Sequence, residues 1–155
     1  MVPQEMIEEI IEAGLYAPSG HGKQSAKIIA ITDKDIRDKL SAINGKADGY
    51  PEDFDPFYGA PVVLLVLGDS TWHTHVNDGS LVIGNMLLAA HSLGLGSCWI
   101  HRAKEEVESE FGKDILKQLG ISEAWVGIGN CIVGYMADTA PKAAARKENR
   151  VYYLK

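Results

Sequence analysis

The stretch that most constrains this sequence is DGSLVIGNMLLAAHSLGLGSCWIHR, residues 78–102. Leu81, Val82, Ile83, Met86, Leu87, Leu88, Ala89, Ala90 and Leu93 put apolar side chains on nearly every side of a helix. A helix with no polar face is expected to be buried, in a core or against another subunit. At about 16 residues it falls short of the roughly 20 apolar residues that cross a bilayer. Asn77 and Asp78 are suited to cap its start, and Gly94-Leu95-Gly96 supplies a glycine stop. Ser97-Cys98-Trp99-Ile100 then reads as a short strand. Helix, glycine turn and strand together predict a floor on which a planar ligand can lie.

The rest of the chain must cover that helix, and 155 residues suffice for one domain, residues 1–155, with a real core. A net charge of -6 and a pI near 5.3 argue against a nucleic-acid partner. The charge is uneven: from Pro141 to Lys155 five basic residues (Lys142, Arg146, Lys147, Arg150, Lys155) face Glu148 alone, so this tail carries +4 and the remainder -10. The tail reads either as a solvated end or as an arm that grips a phosphate or a partner. Cys98 and Cys131 are far apart in apolar contexts, which predicts buried, reduced thiols and a cytoplasmic location. No membrane-spanning run or leader is evident, so no membrane partner is expected.

Pro3 to Leu15 predicts an amphipathic helix, with Met6, Ile7, Ile10, Ile11 and Leu15 as its stripe. Pro18 ends it, and Ser19-Gly20-His21-Gly22-Lys23-Gln24-Ser25 is a loop. Lys27 to Thr32 reads as a strand, and Asp33 caps a helix to about Ile43. Asn44 to Pro61 lacks periodicity and is expected to be a long loop. Val62 to Leu67 is continuously apolar, hence a strand buried on both faces. Lys104 to Phe111 and Asp114 to Leu119 predict short helices. Ala124 to Tyr135 predicts a long strand whose glycines mark a bulge or a close backbone approach. Val151-Tyr152-Tyr153-Leu154 is β-rich and suited to add to a sheet edge, in this subunit or another. Strands and helices do not alternate strictly, so the class is α+β.

Side-chain catalysis finds little support. There is no Gly-x-Ser-x-Gly elbow, no phosphate loop, and Gly94-Leu95-Gly96 follows a helix instead of a strand, against a dinucleotide fingerprint. His73 and His75, with Asp69 and Asp78 nearby, are a weak metal candidate and more simply solvent-facing; no metal is expected. His91 on the apolar helix reads as a core histidine. No catalytic side chain is assigned. That pattern suits a protein whose cofactor carries the chemistry.

Four further motifs occur in order along nearly the whole chain. They are Ala17-Pro18-Ser19-Gly20, Ala60-Pro61, Leu93-Gly94-Leu95-Gly96-Ser97-Cys98-Trp99-Ile100, and Gly134-Tyr135 followed by Pro141-Lys142 and Arg146-Lys147. In that combination the chain resembles the nitroreductase family. The resemblance implies a three-layer sandwich with a central, mostly antiparallel sheet flanked by helices. It implies an FMN-binding homodimer with the apolar helix at the interface, a C-terminal strand exchanged between subunits, NADH or NADPH as electron donor, and a nitroaromatic, quinone or similar small-molecule acceptor.

By the same resemblance, Pro18 and Ser19 touch the flavin from the partner subunit, and Gln24 matches a loop glutamine of the family. Gly94, Leu95 and Gly96 match its glycine turn; Ile100 and His101 fall where backbone N–H groups face the reactive ring. Arg146 and Lys147 match the cations on the FMN phosphate, where a guanidinium forms two parallel bonds well. Against the family pattern, Gly22 stands in place of asparagine, Ser25-Ala26 in place of Pro-Trp, and Met136 in place of proline. The sequence also begins directly before the family's second helix, without the Arg-x-Ser-Arg element that grips the phosphate. Two expectations follow, either a shortened relative with weakened FMN binding and impaired activity or a true start upstream of Met1, and a flavin-binding dimer without turnover is the alternative function.

Overall fold

Six consecutive residues, Val62 to Leu67, are each at most 2% exposed, and every layer of the fold serves to cover them. The computed structural model describes residues 1–137 and 142–155. Its elements are α1 (Gln4–Leu15), β1 (Ala26–Ile31), α2 (Lys34–Asp48), β2 (Val62–Asp69), α3 (His75–Ser92), β3 (Gly96–Ile100), α4 (Ala103–Glu108), α5 (Glu110–Gln118) and β4 (Trp125–Gly134). The four strands form one sheet in the order β1-β2-β4-β3, with every neighbouring pair antiparallel.

Successive strand side chains point to opposite faces. Val62, Leu64 and Val66 therefore meet one core, with Ile7 and Ile10 of α1 and Val82, Ile83, Met86 and Ala90 of α3. Val63, Leu65 and Leu67 meet the other, with Leu40 of α2, Phe57, Ala103 and Val107 of α4, and Leu116 of α5. The result is an α+β sandwich of three layers, as expected. Full burial of such a side chain contributes about 1.5–3 kcal/mol, so β2 outweighs any surface ion pair in the chain. The bulge expected in β4 lies where the β2 register shifts between Val66 and Leu67, pairing them with Gly129 and Gly127. A Cβ on Gly127 would fall 2.1 Å from Ala103 O, so α4 packs directly on strand backbone there.

Several expectations are corrected. α2 runs five residues beyond Ile43, through Asn44 to Asp48, and stops at Gly49 in a left-handed C-cap (φ 77°). The loop is thus shorter than the composition suggested. α3 begins at His75 behind Thr74, ahead of Asn77 and Asp78, so Asp78 lies inside the helix. Ser109 breaks the next helical stretch with an extended backbone and caps α5 by accepting from Gly112 N. Cys98 is exposed on the edge strand β3, whereas burial pushes the Cys131 thiol up to about 12. His91 is exposed on the last turn of α3. Residues 142–155 contain no strand, and Tyr152, Tyr153 and Leu154 are exposed. Pro141, the start of the basic tail, lies outside the described residues.

The shortened loop before β2 is clamped by Asp55. Its carboxylate accepts from the Arg37 guanidinium, from Ser41 Oγ at 2.6 Å, and from the backbone N–H groups of Phe57 and Gly59 at 2.9 and 2.7 Å. This holds Phe57 fully buried while Tyr58, at φ 50°, stays exposed. Burial alone would raise the Asp55 carboxyl, but the bonds from Arg37, Ser41, Gly59 and Phe57 win and hold it down at about 2. A depressed folded value gives stability above the ordinary 3.8 that disappears as pH falls toward about 2. Acid titration followed by circular dichroism should show Asp55→Asn losing less stability than the unaltered chain across that window. The difference should be about 1 kcal/mol once solvent screening is allowed for.

Candidate functional site

Asp78 is 3% exposed and ties the Ser19–Ser25 loop to α3. Its Oδ1 accepts from Gly20 N at 2.9 Å, and its Oδ2 from Ser25 Oγ at 2.6 Å and Thr74 Oγ1 at 2.9 Å. Burial pushes this carboxyl up, but the Ser25, Gly20 and Thr74 bonds, aided by His73, hold it below the usual carboxylate range. Within the loop, Gln24 N donates to Ser19 Oγ at 2.8 Å. His21 and Gln24 take positive φ of 53° and 50° to close the turn. Ser19 and Gln24 are therefore brought together, with Pro18 exposed beside them.

Against this loop stands Trp72. Lys23 Nζ lies 5.0 Å from its ring centroid, the His73 ring lies 4.8 Å away tilted by 50°, and His21 meets it edge-on at 6.1 Å. The Trp72 Nε1–H is buried and has no acceptor among the described residues. The indole is thus bordered by exposed His21 and Lys23 of the loop and by exposed His73 next to it in sequence. Among the described residues, no group of three or more His, Cys, Asp or Glu is arranged to hold a metal.

The glycine turn and strand form a second region. Gly94 takes φ 75° after α3, Leu95 is buried, and a Cβ on Gly96 would fall 2.7 Å from Met136 Cγ. Among the described residues β3 pairs only with β4, which leaves its other edge open, and Trp99 is 37% exposed. Ile100 ends the strand opposite Asn130. His101 follows, with its carbonyl accepting from Asn44 Nδ2 at 2.6 Å. Arg102 then takes φ 69° and bonds to Asp48 and Glu105 at 2.7 and 2.9 Å. Both α2 contacts anchor this turn, one inside and one at the surface. Beneath it lies Glu106, fully buried and pushed up to about 8 by burial, with Asn44 and Asn130 bonding to it.

The loop leads into β1 at one edge of the sheet, and His101 follows β3 at the other. Three strand spacings, about 14 Å, separate those edges. Arg146 and Lys147 are exposed in the tail, and the Arg146 Nε and Nη2 donors bond to the Ala144 carbonyl. The sequence reading missed Trp72, Asp78 as a loop anchor, and the Asn44–Glu106–Asn130 cluster. The bonds from Asp78 to Gly20 and Ser25, and those of Glu106 to Asn44 and Asn130, span 24 to 62 residues, and the one local signal was a run of acidic residues on α4.

The sequence model of the nitroreductase family matches residues 1–47 and 48–135. A nitroreductase from Bacteroides fragilis, solved with bound FMN, is similar to this chain at a TM-score of 0.86 and 25% identity, covering 100% of this chain and 89% of that one. A nitroreductase with bound FMN from Desulfitobacterium hafniense shares the fold at the same TM-score of 0.86, with 23% identity over 100% of this chain and 89% of that one. A provisionally named NADH dehydrogenase/NAD(P)H nitroreductase from Methanothermobacter thermautotrophicus is 27% identical over 143 residues, 88% of this chain and 69% of its own length. A Cr(VI) reductase from a Pseudomonas species is 27% identical over 124 residues, 69% of this chain and 49% of its own length.

Asp78→Ala should leave the Gly20 N–H and the Ser25 hydroxyl without their acceptor. The expected loss is about 2–4 kcal/mol, read as a lower urea midpoint at unchanged slope. Amide exchange at Gly20 should quicken in the same variant.

Proposed function

The chain belongs to the nitroreductase family, and on that premise we propose that it is an FMN-dependent oxidoreductase taking a hydride from NADH or NADPH. Its acceptor is a nitroaromatic, a quinone or a similar small molecule. The observation that carries this reading is the likeness, over its whole length, to a nitroreductase solved with FMN.

The residues present fit that cofactor. A flat ring needs a strand edge or turn it can approach, and β3 has an open edge beside the half-exposed Trp99. A phosphate needs cations: Lys23, Arg146 and Lys147 are exposed, and the Arg146 donors engage a neighbouring carbonyl in their own tail. FMN, when bound, supplies the centre that accepts and passes on the hydride. Ile100 and His101 would present backbone N–H groups to it, Gly94, Leu95 and Gly96 would let it approach backbone, and Arg146 and Lys147 would hold its phosphate. Pro18, Ser19 and Gln24 would close the site from a second copy of the chain.

Two features support a homodimer. The outward face of α3 carries Val76, Leu81 and Leu88, which are 52%, 48% and 72% exposed. Between them a Cβ on Gly84 would have nothing within 4 Å, so another helix could approach closely there. In addition, the Ser19 loop and the His101 turn occupy opposite edges of one sheet. One ligand meets both most simply where two copies meet. The exposed Val151–Leu154 segment would then have a partner's open β3 edge to lie along.

Purified protein titrated with FMN should quench flavin fluorescence and oxidise NADH or NADPH when menadione or a nitrofuran is added; no quenching sinks the reading. Bound flavin without turnover would select the non-catalytic flavin-binding dimer instead. Arg146→Ala should weaken FMN binding about ten- to hundredfold, the value of one or so charge-assisted bonds, and leave the flavin-free melting temperature unchanged. Separately, Leu88→Asp should convert a dimeric elution profile to a monomeric one, because burying an unpaired carboxylate costs several kcal/mol. On a lone protomer the same change at a site 72% exposed would be nearly neutral.

A further inference from the structure

Beneath the Ile100–His101 turn, three buried polar side chains are joined. Asn44 (1% exposed), Glu106 (0%) and Asn130 (0%) come from α2, α4 and β4. Asn44 Nδ2 donates both to His101 O and to Glu106 Oε1, and Asn130 Nδ2 donates to the same Oε1 at 2.8 Å. Two atoms are then left over. Glu106 Oε2 and Asn130 Oδ1 are both buried, and neither has a hydrogen-bond partner among the described residues.

Both leftover atoms are acceptors if Glu106 is ionised, and no donor among the described residues reaches either of them. A single proton on Oε2 supplies that donor. A carboxylic acid and a primary amide also have complementary edges: the acid O–H donates to the amide oxygen while the amide N–H donates to the acid carbonyl. One half of that pair is already present in the Asn130 Nδ2 bond. We propose that Glu106 is held as a neutral carboxylic acid donating its Oε2–H to Asn130 Oδ1, and that this acid–amide pair, acting through Asn44, positions the Ile100–His101 turn. Glu106 is a positioning residue; its importance to the flavin rests on the function proposed above, but its protonation does not.

The surroundings agree. From α2 the facing group is the Asn44 amide and from β4 the Asn130 amide, while α5 brings Gly112 against the backbone of α4, where a Cβ would fall 2.1 Å from the Glu106 main-chain carbonyl oxygen. On its own helix, Glu105 adds negative charge and acts in the same direction as burial. The nearby cation, Arg102, is engaged by Asp48 and Glu105, and the His101 side chain is exposed. Burial, the largest influence, raises the Glu106 carboxyl from 4.5 to about 8. A raised acid keeps its proton in the folded chain after the unfolded chain has lost it. Its contribution to stability is therefore fully present below 4.5 and declines as pH rises toward about 8.

Glu106→Gln tests this, since glutamine offers Asn130 a donor and Asn44 an acceptor without titrating. In the flavin-free protein at pH 6, the infrared spectrum should contain a protonated-carboxyl carbonyl band that the variant lacks. The melting temperature of the unaltered chain, relative to Glu106→Gln, should fall between pH 5 and 8. Absence of the band, a flat difference, or a glutamine variant that does not fold would each overturn the proposal. Positioning is read by amide exchange at His101 and Arg102, which Glu106→Leu should quicken at least tenfold and Glu106→Gln should restore. Equal exchange in both variants would refute the positioning role. Should FMN not bind at all, the function proposed above fails while these flavin-free readouts still decide on Glu106.

Discussion

The fold depends on one strand having no solvent face. Because β2 is apolar at six successive positions, both sides of the sheet must be covered, and the chain covers them with α1 and α3 on one side and α2, α4 and α5 on the other. That demand places β2 and β4 at the centre and leaves β1 and β3 as edges. The edges are where the candidate groups are found: the loop entering β1 and the turn leaving β3. The hydrophobic centre thus determines where polar chemistry can be displayed.

Elements specified by neighbouring residues were legible in advance. The stripe of α1, the unbroken run of β2, the glycine stop after α3 and the glycine-marked bulge of β4 each follow from residues a few positions apart. Helix limits were less legible. Asn44 to Asp48 has no helical stripe of its own, because Asn44 turns inward to bond with His101 and Glu106 and Asp48 outward to Arg102. Asp78 looked like a cap because caps and buried anchors use the same short side chain. Its true partners, Gly20 and Ser25, are 58 and 53 residues away. Cys98 looked buried because β3 is apolar in sequence, yet the strand falls at an edge and exposes it.

The candidate site was legible chiefly as a resemblance. Motif order pointed to the loop, the glycine turn and the tail, but the residues that hold these pieces in place are absent from those motifs. Asp78 fixes the loop, Asp55 fixes the segment before β2, and the amides of Asn44 and Asn130 meet Glu106 beneath the turn. Asp78 and Glu106 are buried carboxyls and Asp55 a half-buried one, and each draws donors from residues remote in sequence. Such groups carry no local signature, since what identifies them is the set of donors they meet after folding.

The apolar character of α3 has two separate explanations on its two faces. Val82, Ile83, Met86 and Ala90 pack against the sheet, which accounts for half of the helix. Val76, Leu81 and Leu88 leave about half or more of their surface exposed, so the intramolecular core accounts for them only in part. A glycine at 84, destabilising in a helix interior by roughly 1 kcal/mol relative to alanine, likewise gains the protomer nothing, because its surroundings are open. Both features become reasonable together if the outer face of α3 is also an interior, formed against a second copy. The same second copy would bring a Ser19 loop across to a His101 turn that its own sheet keeps about 14 Å away. The proposed interface would account at once for the exposed apolar side chains of the helix and for the division of the candidate site between opposite edges.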